Sequence, residues 1–341
     1  MGFSPPATKN LYKSSFQISL LHSSSSQTPQ NSIKAAIKSK TYNQIPYLLK
    51  SQQQSNNNDP FSFLAFFPKP LRTQIIDQIL QSLIPFRPQS HLKLTYSHLL
   101  SHTLQTPKPL LPIALAVLQR TLRSGLAPSP DTHLSLSSVW ADSRRRRRPS
   151  VSVVLSEMAS IGYPPDSGTC NYLIMSLCKT SRLDESINVL KGMNGTGLGC
   201  LPNSESYGVV IGAMCGERRT KEAMWLMREM VRVGVMPRQG TVCRVVAALR
   251  RDKEIRRATE MVEMLERKGV SVGFEGYEIL VEGCLERREF VLAGKVVMDM
   301  VERKGFVPYI GVRQRVVKGL VGIGKADFAS VVRQKLVGVL S

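Results

Sequence analysis

Six cysteines and five histidines are the residues of this chain best suited to covalent or metal chemistry. All the cysteines lie between Cys170 and Cys284, and all the histidines between His22 and His133. The two types never cluster, and no Cys-x-x-Cys occurs. Zinc ribbons, zinc fingers and haem attachment sites depend on such clustering, so no metal site and no cofactor is expected. A nucleophile needs a base within reach, and the C-terminal half has no histidine to supply one. The chain therefore does not read as an enzyme. The cysteines sit beside apolar or small residues, as in Leu177-Cys178 and Met214-Cys215. That predicts small buried hydrophobes in a reducing compartment.

Phosphate chemistry is the other possibility. Gly195-Thr196-Gly197-Leu198-Gly199 and Gly319-x-x-Gly322-x-Gly324 are rich in glycine. A phosphate loop also needs a preceding strand and a following Lys-Ser/Thr; the first segment reads instead as a turn at a repeat junction, the second as the helix-turn region of the last unit. Arg144–Arg148 is a run of five arginines. It reads as a loop insertion within a degenerate unit, either gripping phosphates by charge or simply solvated. Arg250-Arg251, Arg256-Arg257, Arg267-Lys268, Arg287-Arg288 and Arg303-Lys304 recur near turns. Such an edge could follow a nucleic-acid backbone, and it also complements helix C-terminal dipoles.

Composition supports an anionic partner. The 341 residues carry 46 Lys+Arg against 25 Asp+Glu, a net charge of +21. The sequence pI is about 10.0. An excess of this size points to nucleic acid or an anionic membrane surface. No apolar run approaches the roughly 18 residues of a membrane span; Leu110–Leu118 is short and broken by Pro112. The charge is uneven, with a balance of +14 over residues 1–149 and +7 over 150–341. No acidic residue precedes Asp59, while Lys9, Lys13, Lys34, Lys38, Lys40 and Lys50 do. A basic, Ser-rich, acid-free start is similar to an organelle transit peptide. Residues 1–58 are thus expected to be a transit peptide or disordered leader, ending in the polar linker Gln52–Asn58. Its lack of Arg keeps plastids open beside mitochondria.

The elements that must position any site repeat themselves. Glycines at 125, 162, 197, 234, 269 and 305 are spaced by 37, 35, 37, 35 and 36 residues. Four residues before them stand Thr121, Met158, Met193, Met230 and Leu265; Met300 precedes Gly305 by five. Ala114, Ser186, Ala223, Ala258 and Ala293 lie seven residues before that column. Pro128, Pro164, Pro202, Pro237 and Pro308 follow the glycines, and Tyr96, Tyr172, Tyr207 and Tyr277 open the next segments, with Tyr172 two residues late.

One unit shows the physics. Tyr207, Val210, Ile211 and Met214 share one helix face. Gly216–Thr220 is turn-like, and Ala223, Met224, Leu226, Met227 and Met230 mark a second helix. A small residue at 223 lets the two helices approach, Gly234 supplies a left-handed end, and Pro237 blocks continuation. A single hairpin cannot bury both its faces, so neighbours must stack. The register predicts an all-α, right-handed α-solenoid. Units fall at about 90–129, 130–166, 167–203, 204–238, 239–273 and 274–309, with a partial unit at 310–341 and an N-terminal helical cap region at 59–89.

The stretch from Cys170 to Lys179, then Arg182-Leu183-Asp184-Glu185-Ser186, Met193, Gly197 and Pro202-Asn203, resembles the pentatricopeptide repeat. The unit from Tyr207 to Pro237 is similar, and the resemblance extends over roughly residues 90–341. It implies single-stranded RNA as partner, one base per repeat. The resemblance places base reading one residue past the tyrosine slot, paired with the last residue of the repeat. Those positions are Asn171 with Asn203, Gly208 with Arg238, Cys243 with Gly273, and Glu278 with Tyr309. Only Asn171 and Asn203 make a reading pair, suited to a pyrimidine. The base-sandwiching slots hold Gly168, Glu205, Gly240 and Glu275, without the apolar side chains that stack a base, worth about 1–3 kcal/mol each. Arg238, Arg250, Arg251, Arg256 and Arg257 are the candidate phosphate contacts. The implied role is a monomeric, non-catalytic organellar protein of transcript processing, stability or translation, mitochondrial or else chloroplast. The alternative is a protein–protein scaffold, for example on an organellar ribosome.

Overall fold

The computed structural model describes residues 29–51, 59–85, 92–106, 109–147, 150–194 and 200–338. They form seventeen α-helices and two short 3-10 turns, with no strand among the described residues. The N-terminal helices are α1 (Pro29–Lys38), α2 (Ile45–Ser51) and α3 (Lys69–Ser82). The helix pairs of the repeats follow as α4 (Leu92–Gln105) with α5 (Leu111–Arg123), and α6 (Asp131–Arg147) with α7 (Val151–Ser160). Next come α8 (Ser167–Lys179) with α9 (Leu183–Asn194), α10 (Ser204–Gly216) with α11 (Thr220–Arg232), and α12 (Gln239–Arg251) with α13 (Ile255–Arg267). The chain closes with α14 (Phe274–Glu286) and α15 (Phe290–Lys304), then α16 (Ile310–Gly322) and α17 (Ala326–Gly338).

The even-numbered helices from α2 to α16 form one layer, each packed on the next. The odd-numbered helices form the second layer; α3, α5, α7 and α9 pack in succession, as do α15 and α17. One continuous core runs between the layers from Ile33 to Leu336. The repeated columns of the sequence build it. Met158, Met193, Met230, Leu265 and Met300 are all buried, as are Ala114, Ser186, Ala223, Ala258 and Ala293. Each large side chain of the first column contributes about 1.5–3 kcal/mol by burial.

Hydrogen bonding explains the Met–Gly spacing. Gly125, Gly162, Gly234, Gly269 and Gly305 all have φ between +65° and +89°. After each, a backbone N–H turns back onto the Met-column carbonyl: Tyr163 onto Met158 at 3.2 Å, Val235 onto Met230 at 3.0 Å, Val270 onto Leu265 at 3.0 Å. This is the Schellman closure of a helix, which favours glycine at the left-handed position. Phe306 bonds Met300 at 3.0 Å across one extra residue, which accounts for the longer spacing there.

The structure corrects two expectations. Residues 29–51, placed in a disordered leader, fold: α1 and α2 bury Ile33, Ala36, Ile45 and Leu49 in the core. Those residues recur at helical spacing, and the same lysine-rich, acid-free composition that suggests a leader also fits the exposed side of such helices. The two-layer stacking therefore starts at α2 and α3, before residue 90. The second correction concerns the arginine run. Arg144–Arg147 is the last turn of α6 and not a loop insertion. Arginine is a strong helix former, and nothing interrupts the helix until the residues before Pro149. Arg145 pairs with Asp142 at 2.8 Å and Arg144 with Glu185 at 3.3 Å. The expectations for 1–28, the linker 52–58, Arg148 and the Gly195–Gly199 turn lie outside the described residues. Gly319 and Gly322 lie in α16, and a Cβ on Gly319 would stand 2.1 Å from the Phe290 ring. That glycine serves close packing.

Candidate nucleic-acid interface

Two helix caps create the reading pair. Asp166 caps α8, its Oδ1 accepting from the Thr169 backbone at 2.9 Å and hydroxyl at 2.7 Å. This start sets Asn171 as the fifth residue of α8, where it is buried. Burial raises the Asp166 carboxyl pKa, but the two Thr169 bonds and Arg123 outweigh that effect and hold it below its usual range. Asn203 caps α10: its Oδ1 accepts from the Glu205 and Ser206 backbone N–H groups, each at 3.0 Å. Ser206 completes the box by accepting from the Asn203 N–H at 3.1 Å. The caps bring the two amides together, with Asn171 Nδ2 donating to Asn203 Oδ1 at 3.3 Å. The Ser206 hydroxyl donates to Asn171 Oδ1.

This network fixes which edge the pair presents. A backbone N–H only donates, so the Asn203 atom facing it is oxygen. Asn203 is exposed, and its Nδ2 then points away from the cap, its two N–H groups without a partner among the described residues. Both acceptor oxygens are spent inside the protein. The pair is a donor surface, complementary to carbonyl oxygens and ring nitrogens on a base, or to a phosphate.

The other slots differ. Gly208 is buried, with its partner position Arg238 exposed at the cap of α12. Arg238 makes no side-chain cap bond, and no ion pair among the described residues. Cys243 is buried, and Gly273 caps α14. Glu278 accepts from the Tyr309 backbone at 3.4 Å, closing that slot on itself. Gly168, Glu205, Gly240 and Glu275 are each the second residue of their helix and all exposed. The late Tyr172 stacks on His133 of α6 at 4.4 Å. Burial there, with Lys179 nearby, holds the His133 imidazole below its usual range.

Most of these arginines are held by the protein, Arg250, Arg251 and Arg256 from repeat to repeat. Arg250 makes a forked bond to Glu286, at 3.0 and 2.5 Å, and reaches Glu282 at 3.3 Å. Arg251 donates to the Cys215 carbonyl at 2.8 Å and meets Asp252 at 3.3 Å. Arg256 pairs with Glu289 at 3.0 Å, and Arg257 with Glu254 at 2.8 Å. Of the five candidate phosphate contacts, Arg238 alone carries no side-chain partner among the described residues. A groove of about 610 Å³ between α12 and α14 is lined by Arg250, Arg251, Lys253, Glu286 and Arg287.

A different row of cations stands outside the ion pairs of the described residues, Arg218 with the Asp252 carboxylate in its field. Each even-numbered helix from α8 to α14 ends on a non-glycine residue in the left-handed region: Ser181, Arg218, Lys253 and Arg288, with φ between +55° and +62°. Arg218, Lys253 and Arg288 recur at 35-residue intervals, are exposed, and make no ion pair among the described residues. A side chain in this conformation costs about 1 kcal/mol relative to glycine. The sequence signal was present, since each follows a helix of one register, but the neighbouring arginine doublets masked it.

Comparison with known proteins agrees with this layout. A family model described as PPR repeat matches residues 168–198, and one described as Pentatricopeptide repeat-containing protein matches 202–295. A pentatricopeptide repeat-containing protein of Arabidopsis thaliana is 47% identical over 314 residues, spanning 92% of this chain and 90% of that one. The chain belongs to the pentatricopeptide repeat family. Small ribosomal subunit protein mL103 of the same plant is 26% identical over 118 residues, 35% of this chain and 28% of that one. Among solved structures, the maize pentatricopeptide repeat protein PPR10 is 18% identical across 90% of this chain and 48% of its own, with a TM-score of 0.40.

Proposed function

We propose that this protein binds single-stranded RNA and acts by binding, in transcript processing, stability or translation within an organelle. The observation that carries this is the meeting of Asn171 and Asn203 at a repeat junction, with an outward donor edge held by two caps. Family membership supports the partner class, and the net charge of +21 supports a polyanion. The pair recognises a pyrimidine through its carbonyl oxygens. Phosphate contacts come first from the unpaired Arg238, Arg218, Lys253 and Arg288. Arg250, Arg251, Arg256 and Arg257 contribute field more than direct grip, because carboxylates and a carbonyl already hold them. The acid-free residues before the first helix act as the import signal, to mitochondria in preference to plastids. The solenoid works as a monomer.

A second reading draws on the weak likeness to a protein named for a small ribosomal subunit and on the three unfavourable reading slots. In it the solenoid is a scaffold on an organellar ribosome. Crosslinking in plant tissue and sequencing of bound RNA decides between the two. A few discrete transcript footprints support base reading. Ribosomal RNA alone, with co-sedimentation on ribosomes, supports the scaffold and overturns the first reading.

A further inference from the structure

Two slots recur in the units from α8 to α14: the fourth residue of the even-numbered helix and the residue three before the next cap. In three successive units these slots hold Tyr207 and Val235, Val242 and Val270, and Tyr277 and Phe306, all apolar. Tyr277 and Phe306 pack with ring centroids 6.5 Å apart. The α8 unit departs from this at both slots together: they hold Cys170 and Cys200. Their sulfurs lie 3.5 Å apart, joined by a thiol hydrogen bond. Both residues are buried. The remaining four cysteines are free and none is paired with another.

We propose that Cys170 and Cys200 are a redox modification site, two thiols that interconvert with an intramolecular disulfide. A disulfide needs its sulfurs at about 2.05 Å, so closure asks for an approach of about 1.5 Å. Cys200 lies outside the helices, on the connector leading to Asn203. Such a segment opens locally at less cost than a helix. The shared hydrogen bond lowers the Cys200 thiol pKa despite burial, and raises the Cys170 thiol, which burial raises further. Cys200 is therefore the attacking sulfur. With a small disulfide such as oxidised glutathione as oxidant, the Cys200 thiolate attacks one of its sulfurs and expels a glutathione thiolate. Cys170, deprotonated in turn, attacks Cys200 Sγ and expels the second. Two electrons and two protons pass from the cysteine pair to two glutathione molecules.

The bond would tie two neighbours of the reading pair, since Asn171 follows Cys170 directly and Asn203 lies three residues past Cys200. It closes a loop of 30 residues. The site stands whether or not RNA is the partner, and its test needs none. The folded full-length chain is equilibrated with graded mixtures of reduced and oxidised glutathione, alkylated, digested and mapped by fragmentation mass spectrometry. The expected result is the loss of two of the six thiols, a Cys170–Cys200 link, a rise in Tm, and reversal by a dithiol reductant. Cys200→Ala should abolish the link, and Cys215→Ala should leave it intact. Six thiols still free in mixtures that oxidise the urea-unfolded chain would overturn the proposal. So would glutathione adducts scattered over the cysteines without that link.

Discussion

Asn203 carries two roles on opposite atoms, and two substitutions separate them. Its Oδ1 accepts from Glu205 N, Ser206 N and Asn171 Nδ2, at 3.0, 3.0 and 3.3 Å. Asn203→Ala removes the cap, costing about 1 kcal/mol, and leaves a buried Asn171 N–H without its acceptor, about 1 kcal/mol more. The sum is about 2 kcal/mol, concentrated in α10. Asn203→Asp keeps an oxygen where all three donors point. It also places a negative charge at a helix N-terminus, favourable by about 0.3–1 kcal/mol. Stability should equal the parent's or exceed it by up to about 1 kcal/mol. The aspartate nevertheless replaces the outward N–H donors by an anion. Affinity for a preferred single-stranded RNA should fall by about 5- to 150-fold, the range of one good base contact. The assays are urea denaturation, hydrogen exchange at the first α10 amides, and RNA titration at fixed salt. If the aspartate variant loses as much stability as the alanine variant, the cap does not work through Oδ1. If it keeps full RNA affinity, the donor edge does not touch RNA.

Three further outcomes are expected. Replacing Arg218, Lys253 and Arg288 together by Gly relieves left-handed strain, so stability should hold or rise by up to about 1 kcal/mol per site. RNA affinity should fall at the same time, with the log–log salt slope shallower by about 0.7 per lost phosphate contact; an unchanged slope would remove these cations from the interface. Asp166 has a depressed carboxyl pKa, so its stabilisation is present above the unfolded carboxylate pKa and lost as pH falls through the folded one. Asp166→Asn should flatten the acid limb of a stability–pH curve while costing about 0.5–1 kcal/mol at pH 7, and an acid limb as steep as the parent's would contradict this. Gly319→Ala drives a methyl group into the Phe290 ring and should destabilise the last two helix pairs by about 1–3 kcal/mol, seen as early hydrogen exchange in α16 and α17.

Much of this fold is legible in the sequence because glycine and the buried column report the same hydrogen bond. The Met230–Gly234 spacing is the geometry of the Val235 N–H closing on the Met230 carbonyl. A glycine there is favoured by the backbone, so the signal recurs from unit to unit where surface residues differ. Legibility fails where composition is read without periodicity. Ile33, Ala36 and Ile45 were hidden by lysines that look like a leader, yet they bury against the core. The arginine run was hidden the same way, since five like charges suggest a loop although arginine favours a helix. For the site, the resemblance located Asn171 and Asn203 but left open which edge each amide shows. That depends on Ser206 and the α10 cap, and only the folded junction fixes it.

The distribution of partners changes what the positive charge can do. A doublet such as Arg250-Arg251 looks available in sequence, but its carboxylates stand about one repeat away, at Glu282 and Glu286. Arg219 with Asp184, Arg256 with Glu289, Arg315 with Glu282 and Lys335 with Glu302 follow the same spacing. One exposed pair contributes about 0.2–1 kcal/mol, but a ladder of them acts at every interface of a stack whose units touch only their neighbours. Reversing Arg250 to Glu would set three carboxylates against one another between α12 and α14. Any loss of RNA binding in that variant would report the solenoid as much as the contact. Three of the cations proposed to meet a phosphate carry a backbone cost: Arg218, Lys253 and Arg288 occupy positions that glycine would fill with less strain. A basic side chain at three such positions in register complements the C-terminal dipole of the helix it follows, and under the proposed function the same exposed row would meet a polyanion.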